Sequence, residues 1–238
     1  MCRIVMLLVL CLFSGAVPVH AAEISFLKGR TVVVDPGHGG YDPGTVRRGI
    51  CEKHINLDIA LKLKETLEET GARVILTRNG DYNMAVAGLH SREARRYDLS
   101  KRLELVTKHK AELLVSIHVN AFGMASCRGP EVFYFSEAKG SKLLADYIMD
   151  ELRLIPGTPS KRPPKKNDYF VLRNCSSAAV LVETGYLSNS EDRKKLLDPA
   201  YQKTLAEKIS FGIVKYMAVK QGIREQEFNL QVYHSGGS

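Results

Sequence analysis

Apolar and polar positions follow one another in blocks along this chain, and the blocks have two different periods. TVVV (31–34) is an unbroken, β-branched apolar run of the length of a buried strand. Beyond the turn that follows it, Ile55, Ile59, Leu63 and Leu67 recur every four residues, with Lys62, Lys64, Glu65, Glu68 and Glu69 opposed to them. That spacing predicts an amphipathic helix over 55–70, stopped by Gly71. ARVILTR (72–78) reads as a second strand, and residues 79–98 are polar and irregular. DLSKRLELVTKHKA (98–111) predicts a helix with Asp98 or Ser100 as its cap. ELLVSIHVNA (112–121) and EVFYF (131–135) predict strands, and SKLLADYIMDELR (141–153) a helix. IPGTPSKRPPKKNDYF (155–170) is a proline- and lysine-rich loop. AAVLVETGYLSN (178–189) reads as a strand leading into a turn, and residues 199–220 as a closing helix. Strands separated by helices predict one α/β domain, a mostly parallel twisted sheet flanked by helices. In such sheets a site lies outside the carboxyl ends of the strands.

The first 22 residues stand apart from this pattern. MCRIVMLLVLCLFSGAVPVHAA carries a single positive charge at Arg3, an apolar stretch from Ile4, then Pro18, with Val19 and Ala21 suiting a signal-peptidase site. Residues 1–22 are therefore expected to be a signal peptide, cut near Ala21 or Ala22. The apolar run is too short to remain as a comfortable membrane anchor. An exported chain is the expectation, periplasmic rather than secreted because no wall-anchoring module is evident. A domain over 23–225 and a tail over 226–238 complete the expected organisation. The formal net charge of +8 favours anionic partners, but the basic residues are scattered and lack interleaved aromatics, which argues against nucleic acid. Beyond the leader, Cys51, Cys127 and Cys175 are too few for a disulfide framework, although two of them could pair.

The candidate chemistry sits at the strand ends. His38 lies in VVVDPGHGGYDPGT, and His118 ends the apolar run of LLVSIHVNA. Projecting the helical stripe back from Ile59 through Ile55 brings Glu52 onto the face turned toward the sheet, while Cys51 points away. A buried carboxylate there needs a cation or several donors. Two imidazoles and one carboxylate form the ligand set of a hydrolytic zinc site with an open fourth position. Glu183, in AVLVETGYLSN, adds an acid on the same rim. Such an acid can take the proton of a zinc-activated water and return it to a leaving amine.

The segments VVVDPGHGGYDPGT, EKHINLDIALKL, SIHVNA and AVLVETGYLSN together resemble the signature blocks of zinc-dependent N-acetylmuramoyl-L-alanine amidases, the peptidoglycan amidases. The resemblance covers residues 30–220 and makes 23–225 a zinc amidase catalytic domain. It implies Zn2+ as cofactor, His38, Glu52 and His118 as metal ligands, and Glu183 as catalytic acid/base. The implied reaction is hydrolysis of the amide between N-acetylmuramic acid and L-alanine, in cell-wall remodelling or daughter-cell separation. Asp35 and Asn120 fall in the same blocks as supports for the ligands. Peptidoglycan is the expected partner, alongside regulators of the divisome type. The helix at 141–153 reads as part of the fold rather than as a plug over the zinc. Residues 79–98 look longer than the usual link. The basic loop, with Lys161, Arg162, Lys165 and Lys166, is either simply solvated or holds an anionic wall polymer. A zinc peptidase acting on the stem peptide, a non-catalytic peptidoglycan-binding protein, and a cysteine hydrolase using Cys127 or Cys175 are the other readings.

Overall fold

The apolar run at 31–34 becomes the heart of β1 (Thr31–Pro36), with every residue after Thr31 buried. The computed structural model describes residues 26–222 apart from 123, 160 and 161. The expected signal peptide at 1–22, the tail at 226–238 and Lys161 all lie outside the described residues. From β1 the chain passes through a two-stranded ribbon, β2 (Val46–Arg47) and β3 (Ile50–Cys51), into α1 (Glu52–Glu69). The helix thus starts three residues ahead of its apolar period, and Ile55, Ile59, Leu63 and Leu67 are buried as that period requires. β4 (Arg73–Leu76), α2 (Ser91–Lys108), β5 (Leu113–Asn120), β6 (Glu131–Tyr134) and α3 (Ser141–Leu152) follow. Then come β7 (Lys165–Lys166), α4 (Phe170–Arg173), β8 (Ala178–Tyr186), α5 (Ser190–Leu196) and α6 (Pro199–Lys220).

The main sheet has the order β4-β1-β5-β8-β6-β7. β4, β1, β5 and β8 run parallel, β6 runs antiparallel to β8, and β7 is parallel to β6. The expected mostly parallel α/β sheet is therefore present, with its two reversed strands, β6 and β7, together at one edge. Alternation along each strand splits the interior in two. Val32, Val34, Val115, Ile117, Val180 and Val182 face α1, α3 and α6 in the larger core. Val33, Leu114, Ala179 and Leu181 face α2 and α4 in a smaller one. α3 packs on α6, β6 and β8, so it is part of the fold as expected.

Two expectations are corrected. α2 begins at Ser91 with His90 at its cap, so Asp98 and Ser100 are interior rather than capping, and the second half of 79–98 is helical. Its buried positions are Ala94, Asp98, Arg102 and Val106. The stripe has the right spacing, but two of its four members are charged, so no apolar period announces the helix. The turn after β8 continues into α5, where the Asn189 side chain accepts from the backbone N–H groups of Glu191 and Asp192. Cys51, Cys127 and Cys175 are free thiols, so no pairing forms among the described residues.

Candidate metal centre

Strand registry brings the predicted residues together. Asp35 pairs with Ser116, and His118 with Glu183, across β1, β5 and β8. His38 arrives from the turn after β1 with φ of 63°, a left-handed conformation uncommon for a residue with a side chain. The turn is held in place by long basic residues. Arg78 donates to the carbonyls of Pro36 (3.0 Å), Gly37 (2.9 Å) and Lys53 (2.8 Å). Arg102 donates to Pro36 O and His38 O, both at 2.7 Å. Asp81 accepts from Gly40 N at 2.8 Å and pairs with Lys53 at 2.7 Å. The long polar link thus serves as the outer brace of the turn.

Glu52, at the first position of α1, is the hub. Its Oε1 lies 3.2 Å from His38 Nε2 and 3.0 Å from His118 Nδ1. The same oxygen accepts from Val119 N at 3.1 Å and Asn56 Nδ2 at 3.2 Å, while Oε2 accepts from Thr45 N at 2.9 Å. The two imidazoles meet edge to face, with ring centroids 4.9 Å apart. One donor atom from each of His38, Glu52 and His118 falls within 4.8 Å of the others. His54 is exposed beside Asp81 and takes no part. Two glycines make the crowding feasible. A β-carbon on Gly37 would lie 2.2 Å from the His118 ring, and one on Gly44 would lie 2.6 Å from Glu52 Oε2.

The electrostatics fit a divalent ion. Burial works against ionising Glu52, but His118 and His38 overcome it and hold the carboxyl well below the usual range. Burial also opposes charge on His38, yet its hydrogen bonds to Asp42 and Glu52 lift it to about 9. A positive charge is thus demanded where the three donors converge, and a bound cation would supply it in place of protons. Asp42, which sequence reasoning passed over, has Oδ2 at 2.8 Å from His38 Nδ1 and so fixes the ring's orientation. The hydrogen bond to His38 leads in lowering Asp42 to about 2. Its only sequence signal was its place in the GYDPGT turn.

Glu183 lies beside this cluster with Oε2 buried and without a hydrogen-bond partner. Burial, then the charge of Glu52, raises its carboxyl to about 8 against the pull of His38, with Glu131 adding to the rise. Glu131 is its cross-strand neighbour on β6 and is itself buried. Arg162 (3.0 Å) and Lys165 (2.7 Å) pair with Glu131, so two of the basic loop's four charges are matched by a buried acid, although Lys165 itself stays exposed. Asp35 does not touch the histidines. It accepts from Thr77 and Ser116 (2.6 Å each) and Arg102 (2.8 Å), and acts on His38 through Arg102. Asn120 lines the same cavity of about 430 Å³, as do all four predicted site residues together with Asp42, Arg95, Tyr169 and Phe170.

The chain matches the family described as N-acetylmuramoyl-L-alanine amidase over residues 32–215. It belongs to that family. Among curated relatives of this amidase family, the germination-specific N-acetylmuramoyl-L-alanine amidase of Bacillus subtilis is 34% identical over 195 residues, 82% of each chain. Among solved structures, the amidase CwlD of Clostridioides difficile, in complex with the lipoprotein GerS, superposes with a TM-score of 0.76. It is 36% identical and matches 80% of this chain and 99% of that one. The amidase AmiC2 of Nostoc punctiforme gives a TM-score of 0.68 at 33% identity, over 79% of this chain and 97% of its own. This amidase is a single α/β domain, and no helix among the described residues is long and apolar enough to cross a membrane.

Proposed function

We propose that this peptidoglycan amidase works through zinc held by His38, Glu52 and His118, with Glu183 as the proton carrier. The observation that carries the reading is the convergence of three donors on one point, with an unpartnered buried carboxyl beside them. When bound, zinc supplies Lewis acidity, which makes water a nucleophile near neutral pH and polarises the amide carbonyl. The chain's own residues supply the rest. Asp42 keeps the His38 ring turned, and Glu52 is locked by Thr45, Asn56 and Val119 so that it cannot swing away. Glu183, tuned toward neutrality by burial and by Glu52, takes the proton of the attacking water. It then returns that proton to the alanine nitrogen, because an amide anion is a very poor leaving group. The lactyl carboxylate stays with the sugar and the free amine with the stem peptide.

Export through a leader at 1–22, to the periplasm or beyond the cell, belongs to the same reading, supported by the apolar N-terminal run and by a substrate that lies outside the cytoplasmic membrane. A protein regulator belongs to it too, supported by the lipoprotein bound to the Clostridioides relative. The test is digestion of purified sacculi by the chain, with and without chelator, followed by mass analysis. New N-terminal L-alanine, lost on chelation and restored by zinc, is the expected result. Shortened stem peptides would instead mean a peptidase, and undiminished cleavage under chelator would overturn the zinc assignment.

A further inference from the structure

We propose that the stem peptide leaves the cavity across the first turns of α2, where Arg95 positions the substrate by binding the first carboxylate beyond the alanine. The inference rests on the amidase reading above and adds a direction to it. The cavity that holds the donors continues into a second depression of about 260 Å³, lined by Arg92, Arg95, Arg96, Leu99, Phe170 and Arg173. Arg95, Leu99 and Phe170 line both, so the two spaces share a wall. Arg173 is matched by Asp168 at 2.7 Å, and Arg96 rests over the Phe170 ring at 6.0 Å. Arg92 and Arg95 are exposed and have no hydrogen-bond or ion-pair partner among the described residues.

These charges stand at the wrong end of their helix. Three arginines within the first six residues of α2 face the positive pole of the helix dipole, and Glu93 is the one acid in the first turn. Inside the protein the arrangement is offset only by the attraction between Arg95 and Asp42 across the cavity, with no hydrogen bond or ion pair formed, and a local rule so weakly compensated points to a ligand outside it. The scissile bond itself says which ligand. On one side lies a sugar polymer of neutral rings. On the other lies a peptide whose second residue, a γ-linked glutamate, carries an α-carboxyl. Two extended residues span roughly 7 Å, so that carboxyl lies within reach of a guanidinium on the cavity wall. Arginine is suited to it because its planar donors meet both carboxylate oxygens at once. Leu99 and Phe170 give the backbone between alanine and glutamate an apolar floor.

The test uses two muramoyl tripeptides, both amidated at the C-terminus and differing only at the α-carboxyl of the second residue, free in one and a carboxamide in the other. On the free carboxylate, Arg95→Gln should lose about ten- to hundredfold in kcat/KM, mostly in KM, the range of a charge-assisted hydrogen bond. On the carboxamide it should lose less than about threefold. Arg95→Lys should recover part of the loss on the carboxylate, and added salt should narrow the wild-type preference. Equal losses on both substrates, or none on either, would overturn the assignment. Sacculi cut by the wild-type chain with neither tripeptide cleaved would overturn the subsite alone, because binding would then not lie on the peptide side; sacculi left uncut would overturn the amidase reading.

Discussion

Replacing Gly37 by alanine adds one methyl group, and the structure says where it must go. The new carbon would lie 2.2 Å from His118 Cε1, 2.3 Å from Nε2 and 2.7 Å from Cδ2. Carbon atoms sit comfortably at about 3.5–4.0 Å, so the ring would have to retreat by more than about 1 Å. The backbone cannot yield instead. Gly37 N donates to Ile117 O at 2.9 Å, and Gly37 O accepts from Arg78 at 2.9 Å and Asn56 at 3.2 Å. A metal site tolerates displacements of about 0.2 Å in ligand distance, so His118 would cease to be a ligand. We expect zinc affinity, measured by competition with a chromophoric chelator, to fall by more than the 10- to 100-fold of a lost outer partner. Overpacking should also cost the metal-free protein roughly 1–3 kcal/mol in thermal or denaturant unfolding. The control is a double-variant cycle. On a His118→Ala background the methyl meets no ring, and Gly37→Ala should become nearly neutral. Wild-type zinc affinity in the Gly37→Ala protein, or equal destabilisation on both backgrounds, would refute the reasoning.

Glu183→Gln should retain zinc and fold while losing roughly 10²–10⁴-fold in turnover; lost zinc would make Glu183 a ligand, and near-normal turnover a structural residue. Asp42→Asn should leave the three donors in place but free the His38 ring, costing roughly 10- to 100-fold in zinc affinity or activity by chelator competition and sacculus digestion. Asp35 gives a pH signature. Burial opposes its charge, but Arg102, Ser116 and Thr77 draw it from 3.8 down to about 2, a shift worth about 2 kcal/mol. A depressed acid stabilises the fold above its unfolded value and loses that contribution as pH falls through the folded one. Unfolding midpoints should therefore drop between about pH 4 and 2, and the Asp35→Asn protein, less stable at neutral pH, should show a shallower acid limb.

The elements legible in the sequence were those whose buried residues are apolar. β1, β5 and β8 declare themselves as unbroken runs rich in Val, Ile, Leu and Ala because both faces of the sheet are covered, and α1 does so by an apolar stripe near period four. His38, Glu52, His118 and Glu183 stood out because they break those runs. α2 did not, because its buried stripe includes Asp98 and Arg102, which serve the turn bearing His38 rather than a core. Asp42 was hidden for a related reason. Its partner is four residues away, a helical spacing, but the two meet across a left-handed turn where no helix is expected. The roles of Arg162 and Lys165 were equally invisible, since they reach Glu131 from a distant loop and a two-residue strand whose placement beside β6 no spacing announces.

The unequal halves of the interior have a consequence for how such an enzyme can change. The larger core, between the sheet and α1, α3 and α6, carries most of the buried apolar side chains. The thinner cover of α2 and α4 shares its walls with the cavity. Substitutions on the exposed side of that cover alter what the cavity touches while leaving the main body of hydrophobic contacts as it was. Drift in substrate preference and persistence of the fold are thus assigned to opposite faces of one sheet. A lineage can explore new wall chemistries on α2 and α4 without first having to acquire a more stable scaffold.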